Sequence, residues 1–262
     1  IIASNWYSEV VAQQISKIMY DLQPFPVAIR LAPDYSDLSY FHVVTEDFEG
    51  LPLIGLRTPI FSPSQRLLKR WLDIVVSLTI VILGSPVFAL VALAIRWDSR
   101  GPIILRQQRV GIHGRTFSMY KFRSMYVDAE QRLEELRAQN EASGPLFKVR
   151  DDPRRTRVGR LIRTTSLDEI PQFLNVLRGE MSIVGPRPHV PDEVDVYEPW
   201  HRQRLAITPG MTCLWQVNGR SDLSFDEQVR TDITYVRSRS LWLDIKILAL
   251  TIPALLIGRS HN

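Results

Sequence analysis

Asp168 and Glu169 are adjacent acids set in a cationic neighbourhood: Lys148, Arg150, Arg154, Arg155, Arg157, Arg160 and Arg163 precede them, and Arg187 follows in Gly185-Pro-Arg-Pro188. A carboxylate kept ionised by arginines can act as a nucleophile toward phosphorus, because the same cations draw a phosphate ester to it. A helix N-terminus adds free backbone N–H groups for an anion, and the planar fork of Arg187 suits phosphate. The same residues also have a plain structural reading. Ser166-Leu-Asp-Glu169 matches a capping box, with Ser166 as N-cap and Glu169 reaching back to it. Acids in a first helical turn are favourable in any protein, and Pro171 is tolerated that early in a helix.

The positioning elements follow from pattern. Ile103–Val110 and Arg115–Met125 flank Gly111-Ile-His-Gly114, which reads as a β-hairpin with His113 in the turn. Lys121 and Arg123 are two apart on the second strand and share a face, so both either point at one anion or are simply solvated. Asp128–Glu141 reads as a charged, exposed helix. Leu241–Ile257 reads as a helix, either interfacial, with Trp242 and Lys246 at headgroup depth, or packed on the core.

Upstream, Arg66, Lys69 and Arg70 lead into Trp71–Ile95, where only Asp73 is charged, and Arg96, Trp97 and Arg100 close the segment. A spanning helix needs ~20 apolar residues. Ser85-Pro86 falls mid-segment, where Pro removes a backbone bond, and basic residues flank both ends rather than one. Each arm is ~15–20 Å long, too short for a ~30 Å hydrocarbon core. A re-entrant helix–break–helix over 71–97 accounts for both features, with Ser85 covering a carbonyl that Pro86 frees. A kinked span and a buried soluble helix are the alternatives.

At 262 residues, 45% hydrophobic and 23% charged, the chain has material for a packed core. The net charge of +4 is unevenly placed, so the expected partner is an anionic lipid surface or a phosphorylated substrate, not nucleic acid. Cys213 is alone, which excludes an intrachain disulfide and a cysteine metal cluster. Residues 1–60 read as part of an α/β unit, with a helix over Ser8–Leu22 and strands over Phe25–Leu31 and Phe41–Val44. Thr58-Pro-Ile-Phe-Ser-Pro63 reads as a linker. No signal peptide is expected, and the missing initial Met is read as the mark of a fragment.

The segments Lys69-Arg-Trp-Leu-Asp73 with Ser85-Pro86, Gln107-Gln-Arg-Val-Gly111, Tyr120-Lys-Phe-Arg-Ser-Met125, Lys148-Val-Arg-Asp-Asp-Pro153, Thr165-Ser-Leu-Asp-Glu-Ile-Pro-Gln172, Ser182-Ile-Val-Gly-Pro-Arg-Pro188, Pro209-Gly-Met-Thr212, Trp215-Gln-Val-Asn-Gly-Arg220 and Leu241-Trp-Leu-Asp-Ile-Lys246 occur in order. Together they resemble the bacterial polyprenyl-phosphate sugar-1-phosphate transferases, the monotopic phosphoglycosyl transferases that start exopolysaccharide and O-antigen repeats. The resemblance covers residues 64–262. It implies an α/β (α+β), membrane-associated catalytic domain there, with residues 1–60 as the C-terminal part of a Rossmann-like domain. Cys213 is a departure, since the family usually has Gly at that place.

The resemblance further implies that Asp168 attacks a UDP-sugar (UDP-glucose or UDP-galactose), releases UMP and passes the sugar phosphate to undecaprenyl phosphate. Glu169 would position groups or take a proton. Mg²⁺ held by Asp168 would assist, and Arg163, Arg187, Lys121 and Arg123 would clamp phosphate. Arg220 either touches the nucleotide or belongs to a structural loop. The implied location is the cytoplasmic face of the bacterial inner membrane, in contact with lipid, with a homodimer through the upstream α/β segment as one arrangement. Two other classes stay open. One is a glycosyl transferase that releases UDP, for which Asp151-Asp152 is the nearest approach to a metal-binding acid motif. The other is a non-enzymatic membrane-docked protein whose acid pair only caps a helix.

Overall fold

The apolar segment forms one long helix, α1 (Pro63–Asp98), and its start is written in the sequence. The Ser62 side chain accepts from Gln65 N, Gln65 Oε1 accepts from Ser62 N, and Pro63 occupies the first turn, where its missing N–H costs nothing. The computed structural model describes residues 2–4, 31–33, 42–48, 51–57, 62–132, 135, 149, 152–218 and 223–256. The chain divides into two units, Ile1–Ile60 and Phe61–Asn262.

In the first unit, β1 (Ile2–Ser4) pairs in parallel with β2 (Leu31–Pro33), and β3 (His42–Phe48) pairs antiparallel with β4 (Leu51–Arg57). The strand expected at Phe41–Val44 falls within β3. The helix expected over Ser8–Leu22 lies outside the described residues, and of Phe25–Leu31 only Leu31 is described, as the start of β2. Among the described residues these are two separate two-stranded sheets, and most of the segment expected to be Rossmann-like lies outside the described residues.

The second unit mixes helices with small strand pairs. β5 (Ile104–Val110) and β6 (Thr116–Phe122) form the hairpin, with Val110 opposite Thr116 and Leu105 opposite Lys121. His113 in its turn takes a left-handed backbone, φ 56°. Then come α2 (Arg157–Thr164), α3 (Gln172–Arg178), β7 (Ser182–Val184), α4 (Pro191–Asp195), β8 (Gly210–Thr212), α5 (Leu214–Val217), α6 (Phe225–Ser238) and α7 (Leu241–Leu256). β7 and β8 pair in parallel. Residues 128–132 form turns, and most of the helix expected over Asp128–Glu141 lies outside the described residues.

α1 runs through Pro86 without interruption, so the expected break at Ser85–Pro86 does not divide it into two arms. Pro86 leaves Ile82 O without its i+4 donor, and Ser85 Oγ donates to that carbonyl at 2.8 Å. Asp73, Ser77, Val91 and Ile95 are buried along one face, at the three-to-four spacing of a helical stripe. Trp71, Leu78, Ile82, Leu83, Leu90 and Trp97 stand exposed elsewhere on the helix.

Both ends of α1 are tied to the same unit. Near its start, Arg70 donates to the end carbonyls of α3, Val176 O and Leu177 O. Lys69 Nζ lies 2.7 Å from Asp244 of α7, and Asp73 Oδ1 accepts from Ile183 N of β7. At the far end, Val91 and Ile95 pack with Phe122 and Ile162, and Asp98 accepts from Val158 N of α2. The main core lies between these ties, where Met119, Val176, Met181, Ile183, Val184, Tyr235, Val236 and Ile247 meet. A second cluster joins Val110, Val194, Tyr197, Phe225, Val229 and Ile233.

The expectation that Arg123 shares an anion with Lys121 is not met. β6 ends at Phe122, and the buried Arg123 guanidinium donates instead to Ser99 O at 2.7 Å and Arg100 O at 2.9 Å. It thus satisfies carbonyls just past the end of α1, where the chain leaves the helix. Charge-assisted bonds of this kind contribute about 1.5–3 kcal/mol each. Arg123→Met is therefore expected to lower unfolding stability by about 2–3 kcal/mol, read by denaturant titration in detergent, while phosphate affinity per folded molecule stays unchanged.

Candidate active site

The acid pair is positioned by a turn, not by a helix cap. Thr156 caps α2 by accepting from Gly159 N at 2.9 Å. A side chain at Gly159 would meet Ser124 O at 1.9 Å, so glycine is what lets α2 rest on the end of the hairpin. After α2 the chain reverses at Ser166, whose backbone is left-handed (φ 56°, ψ 17°), and Leu167–Glu169 form a single 3-10 turn. The expected capping box does not form: the Ser166 side chain caps nothing, and α3 begins only at Gln172. Released from capping, Glu169 points into a cationic recess. Its Oε1 lies 3.2 Å from Lys121 Nζ and 3.9 Å from Arg187 Nη2.

Lys121 is held there by a side chain acting as a strand. Asn175 of α3 is fully buried; its Oδ1 accepts from Tyr120 N at 3.0 Å, and its Nδ2 donates to Ser118 O at 2.7 Å. The outer edge of β6 is thereby joined to α3, the helix that follows the acid turn. Arg163 arrives from the last turn of α2.

The two acids differ in their pairing. Asp168 is 8% exposed and, among the described residues, its carboxylate has no ion pair and no hydrogen bond to another side chain, only one to its own backbone N–H, whereas Glu169 holds two cations. Burial pushes the Asp168 carboxyl above its ordinary value; Lys121 and Arg163 oppose this, and the Glu169 charge reinforces it. Burial acts on Glu169 in the same direction, but Lys121 and Arg187 outweigh it and hold that carboxyl below its ordinary range. The site therefore pairs a locked, ionised acid with an unpaired one. Burial lowers Arg163, with Arg155 adding to the effect and Asp168 opposing it.

The structure adds Arg109, which sequence reasoning passed over. It lines the recess with Met119, Lys121, Glu169, Gln172 and Arg187. Its Nη1 donates to Pro188 O at 3.1 Å, and burial, then Arg187, lowers it to about 10. Strand alternation was the available signal: the hairpin register sets Leu105 opposite Lys121, and Leu105, Gln107 and Arg109 share that face.

The remaining expected residues are placed as follows. Asp168, Glu169, Lys121, Arg163 and Arg187 come together; Arg123 does not. Arg220 lies outside the described residues, as do Lys148, Arg150 and Asp151. Arg154 is buried against Asp152, at 2.6 Å, and belongs to the scaffold. Cys213 has an extended backbone (φ −140°, ψ 166°), which any residue adopts, so the departure from Gly leaves the loop unstrained.

A family model described as "Bacterial sugar transferase" matches residues 64–258. The chain is 42% identical to the galactosyl transferase CpsE of Streptococcus agalactiae serotype III, over 94% of this chain and 55% of that protein. It is 39% identical to an undecaprenyl-phosphate galactose phosphotransferase of Salmonella typhimurium, over 92% of this chain and 58% of that one. It is 38% identical to the UDP-glucose:undecaprenyl-phosphate glucose-1-phosphate transferase of Escherichia coli K12, over 91% and 51%. The chain thus spans just over half the length of these relatives. With the acid turn and its cations inside the matched region, the chain belongs to the bacterial sugar transferase family.

Proposed function

We propose that this chain transfers a hexose 1-phosphate from a UDP-sugar to undecaprenyl phosphate, releasing UMP, through a covalent intermediate on Asp168. The observation that carries this reading is the unpaired, buried Asp168 beside a Glu169 already neutralised by Lys121 and Arg187. Two relatives, an undecaprenyl-phosphate galactose phosphotransferase and a UDP-glucose:undecaprenyl-phosphate glucose-1-phosphate transferase, support it.

In the first step an Asp168 oxygen attacks the β-phosphorus of the donor. The bond from that phosphorus to the bridging oxygen breaks, and UMP leaves with the oxygen. In the second step a phosphate oxygen of undecaprenyl phosphate attacks the same phosphorus, the aspartyl ester breaks, and Asp168 is returned as a carboxylate. Arg187, Lys121, Arg163 and Arg109 screen the donor's negative charges so that a carboxylate can approach. Glu169, held ionised, fixes Lys121 and Arg187 rather than moving a proton.

The family resemblance also implies Mg²⁺. Among the described residues, no group of three or more metal-ligating side chains gathers. The Asp168 carboxylate, with no other side chain bonded to it, fits an ion bound through one carboxylate and completed by substrate phosphates and water. Asp168 would hold it, and the ion would supply neutralisation of charge on the phosphates.

α1 supplies the lipid contact. It is long and apolar enough to cross a membrane. A crossing, however, would carry Val91 and Ile95 to the side opposite Asp73, whereas both ends pack on one unit. That supports partial insertion from one face. We assign this to the cytoplasmic face of the inner membrane, where UDP-sugars and the lipid's phosphate meet.

Detergent-solubilised protein with Mg²⁺, undecaprenyl phosphate and UDP-glucose or UDP-galactose is expected to release UMP, and Asp168→Asn none. Release of UDP would overturn the reading in favour of sugar transfer. The nucleophile must be ionised, so activity is lost as pH falls through the raised Asp168 value, above the ~3.9 of an ordinary aspartate. Lys121→Met removes a cation that lowers Asp168, so the acid limb of the pH–rate profile should move to higher pH; an unmoved limb would uncouple Lys121 from the nucleophile. Leu83→Glu with Leu90→Glu places charges on the exposed face of α1 and is expected to release the protein from membranes on alkaline washing that retains the parent.

A further inference from the structure

The loop presenting Arg187 is gripped at every carbonyl from residue 186 to 189. Pro186 O accepts from Gly210 N at 2.8 Å and His189 O from Val110 N at 2.9 Å. Between them, Pro188 O accepts from Arg109 Nη1 at 3.1 Å and Arg187 O from Arg204 Nη2 at 2.7 Å. Gly185 and Gly210 pack backbone to backbone, since a side chain at Gly210 would meet Gly185 N at 2.1 Å. Three of these grips come from residues at the recess or on strands beside it. The grip on Arg187 itself comes from Arg204, a cation 2% exposed that the chemistry above does not use.

Arg204 is built into a dry network. Its Nη2 also pairs with Asp232 of α6, which is fully buried, and its Nη1 donates to Tyr197 Oη at 2.9 Å. The same Nη1 lies against the ring of His189, and Tyr197 Oη is 2.7 Å from His189 Nδ1. Burial, then the Arg204 charge, holds His189 well below its ordinary value, so its ring is neutral beside the cation. A buried charge needs a partner such as Asp232 and full hydrogen bonding to be tolerated. One guanidinium fork satisfies a carboxylate, a phenol and the Arg187 carbonyl together. A lysine keeps the charge but cannot span those three points.

We infer that Arg204, fixed by Asp232 and Tyr197, is a positioning residue that sets where the Arg187 guanidinium meets the donor's diphosphate. This rests on the proposed function for the identity of the donor. A residue acting through Arg187 loses its influence once Arg187 is gone, whereas a residue that only supports the fold does not.

The test is a double-mutant cycle on the full chain in detergent, with UDP binding read by calorimetry. Arg204→Lys is expected to weaken UDP binding about tenfold in the parent and less than about twofold in an Arg187→Ala background. In turnover, the loss should appear in KM for the donor with kcat little changed, as for an interaction present in the ground state. Equal losses in both backgrounds would overturn the inference. Should Arg204→Lys not fold, Tyr197→Phe, which leaves the ion pair in place, substitutes in the cycle with the same vanishing effect expected. A parent that binds UDP but releases no UMP would sink the transferase reading while the binding cycle still decides the role of Arg204.

Discussion

Two adjacent carboxylates in a shielded recess repel each other and attract protons, and the second unit answers that repulsion with fixed cations. No local segment provides them. Lys121 comes from the hairpin, Arg163 from the end of α2 and Arg187 from the loop after β7. Each must be held at its own distance from the acid turn, so the hairpin, the helix and the loop are all bound to α3 or to one another by buried polar contacts. Asn175 serves the hairpin, Thr156 N, which donates to Ser124 O just past the hairpin, serves α2, and a run of external donors serves the loop. The result is unequal treatment of two neighbouring acids, one saturated and one left unpaired.

The long apolar helix α1 is anchored through the same strand that leads into the Arg187 loop. Asp73 accepts from Ile183 N, two residues before Gly185. Lys69 reaches Asp244, whose Oδ1 accepts from Tyr235 Oη. These charges near the start of an apolar helix are bound inside the protein and are not available to headgroups. Movement of α1 relative to its unit would therefore act directly on β7.

Local pattern made much of this legible. The hairpin around Gly111–Gly114, the apolar helix and the C-terminal helix all follow from periodicity and turn residues, and the acid pair stood out by composition. Two expectations failed for a shared physical reason. Ser166-x-x-Glu169 has the spacing of a capping box, but a left-handed Ser166 turns the chain before a helix can start. Arg123 has the right spacing from Lys121, but the strand ends beneath it, and helix-end carbonyls lie within its reach. Arginine is long and forms its bonds with whatever the tertiary fold brings near, so its role is written in partners distant in sequence. Arg109 and Arg204 escaped sequence reading for the same reason, since their partners Pro188 and Asp232 lie far along the chain.

The exposed face of α1 has a mechanical corollary. Inserted as proposed, a helix docked at both ends on one body, with Trp71 and Trp97 outward, would displace acyl chains from a single leaflet and leave the opposite one untouched. That leaflet would have to enlarge its area while its counterpart did not, which is a bending stress. Association of such an element depends on lipid packing as well as on headgroup charge. Under one-sided insertion, loosely packed or outwardly curved bilayer would recruit the protein more readily than flat, tightly packed bilayer, and lateral pressure in the membrane would set how much of the protein is bound there.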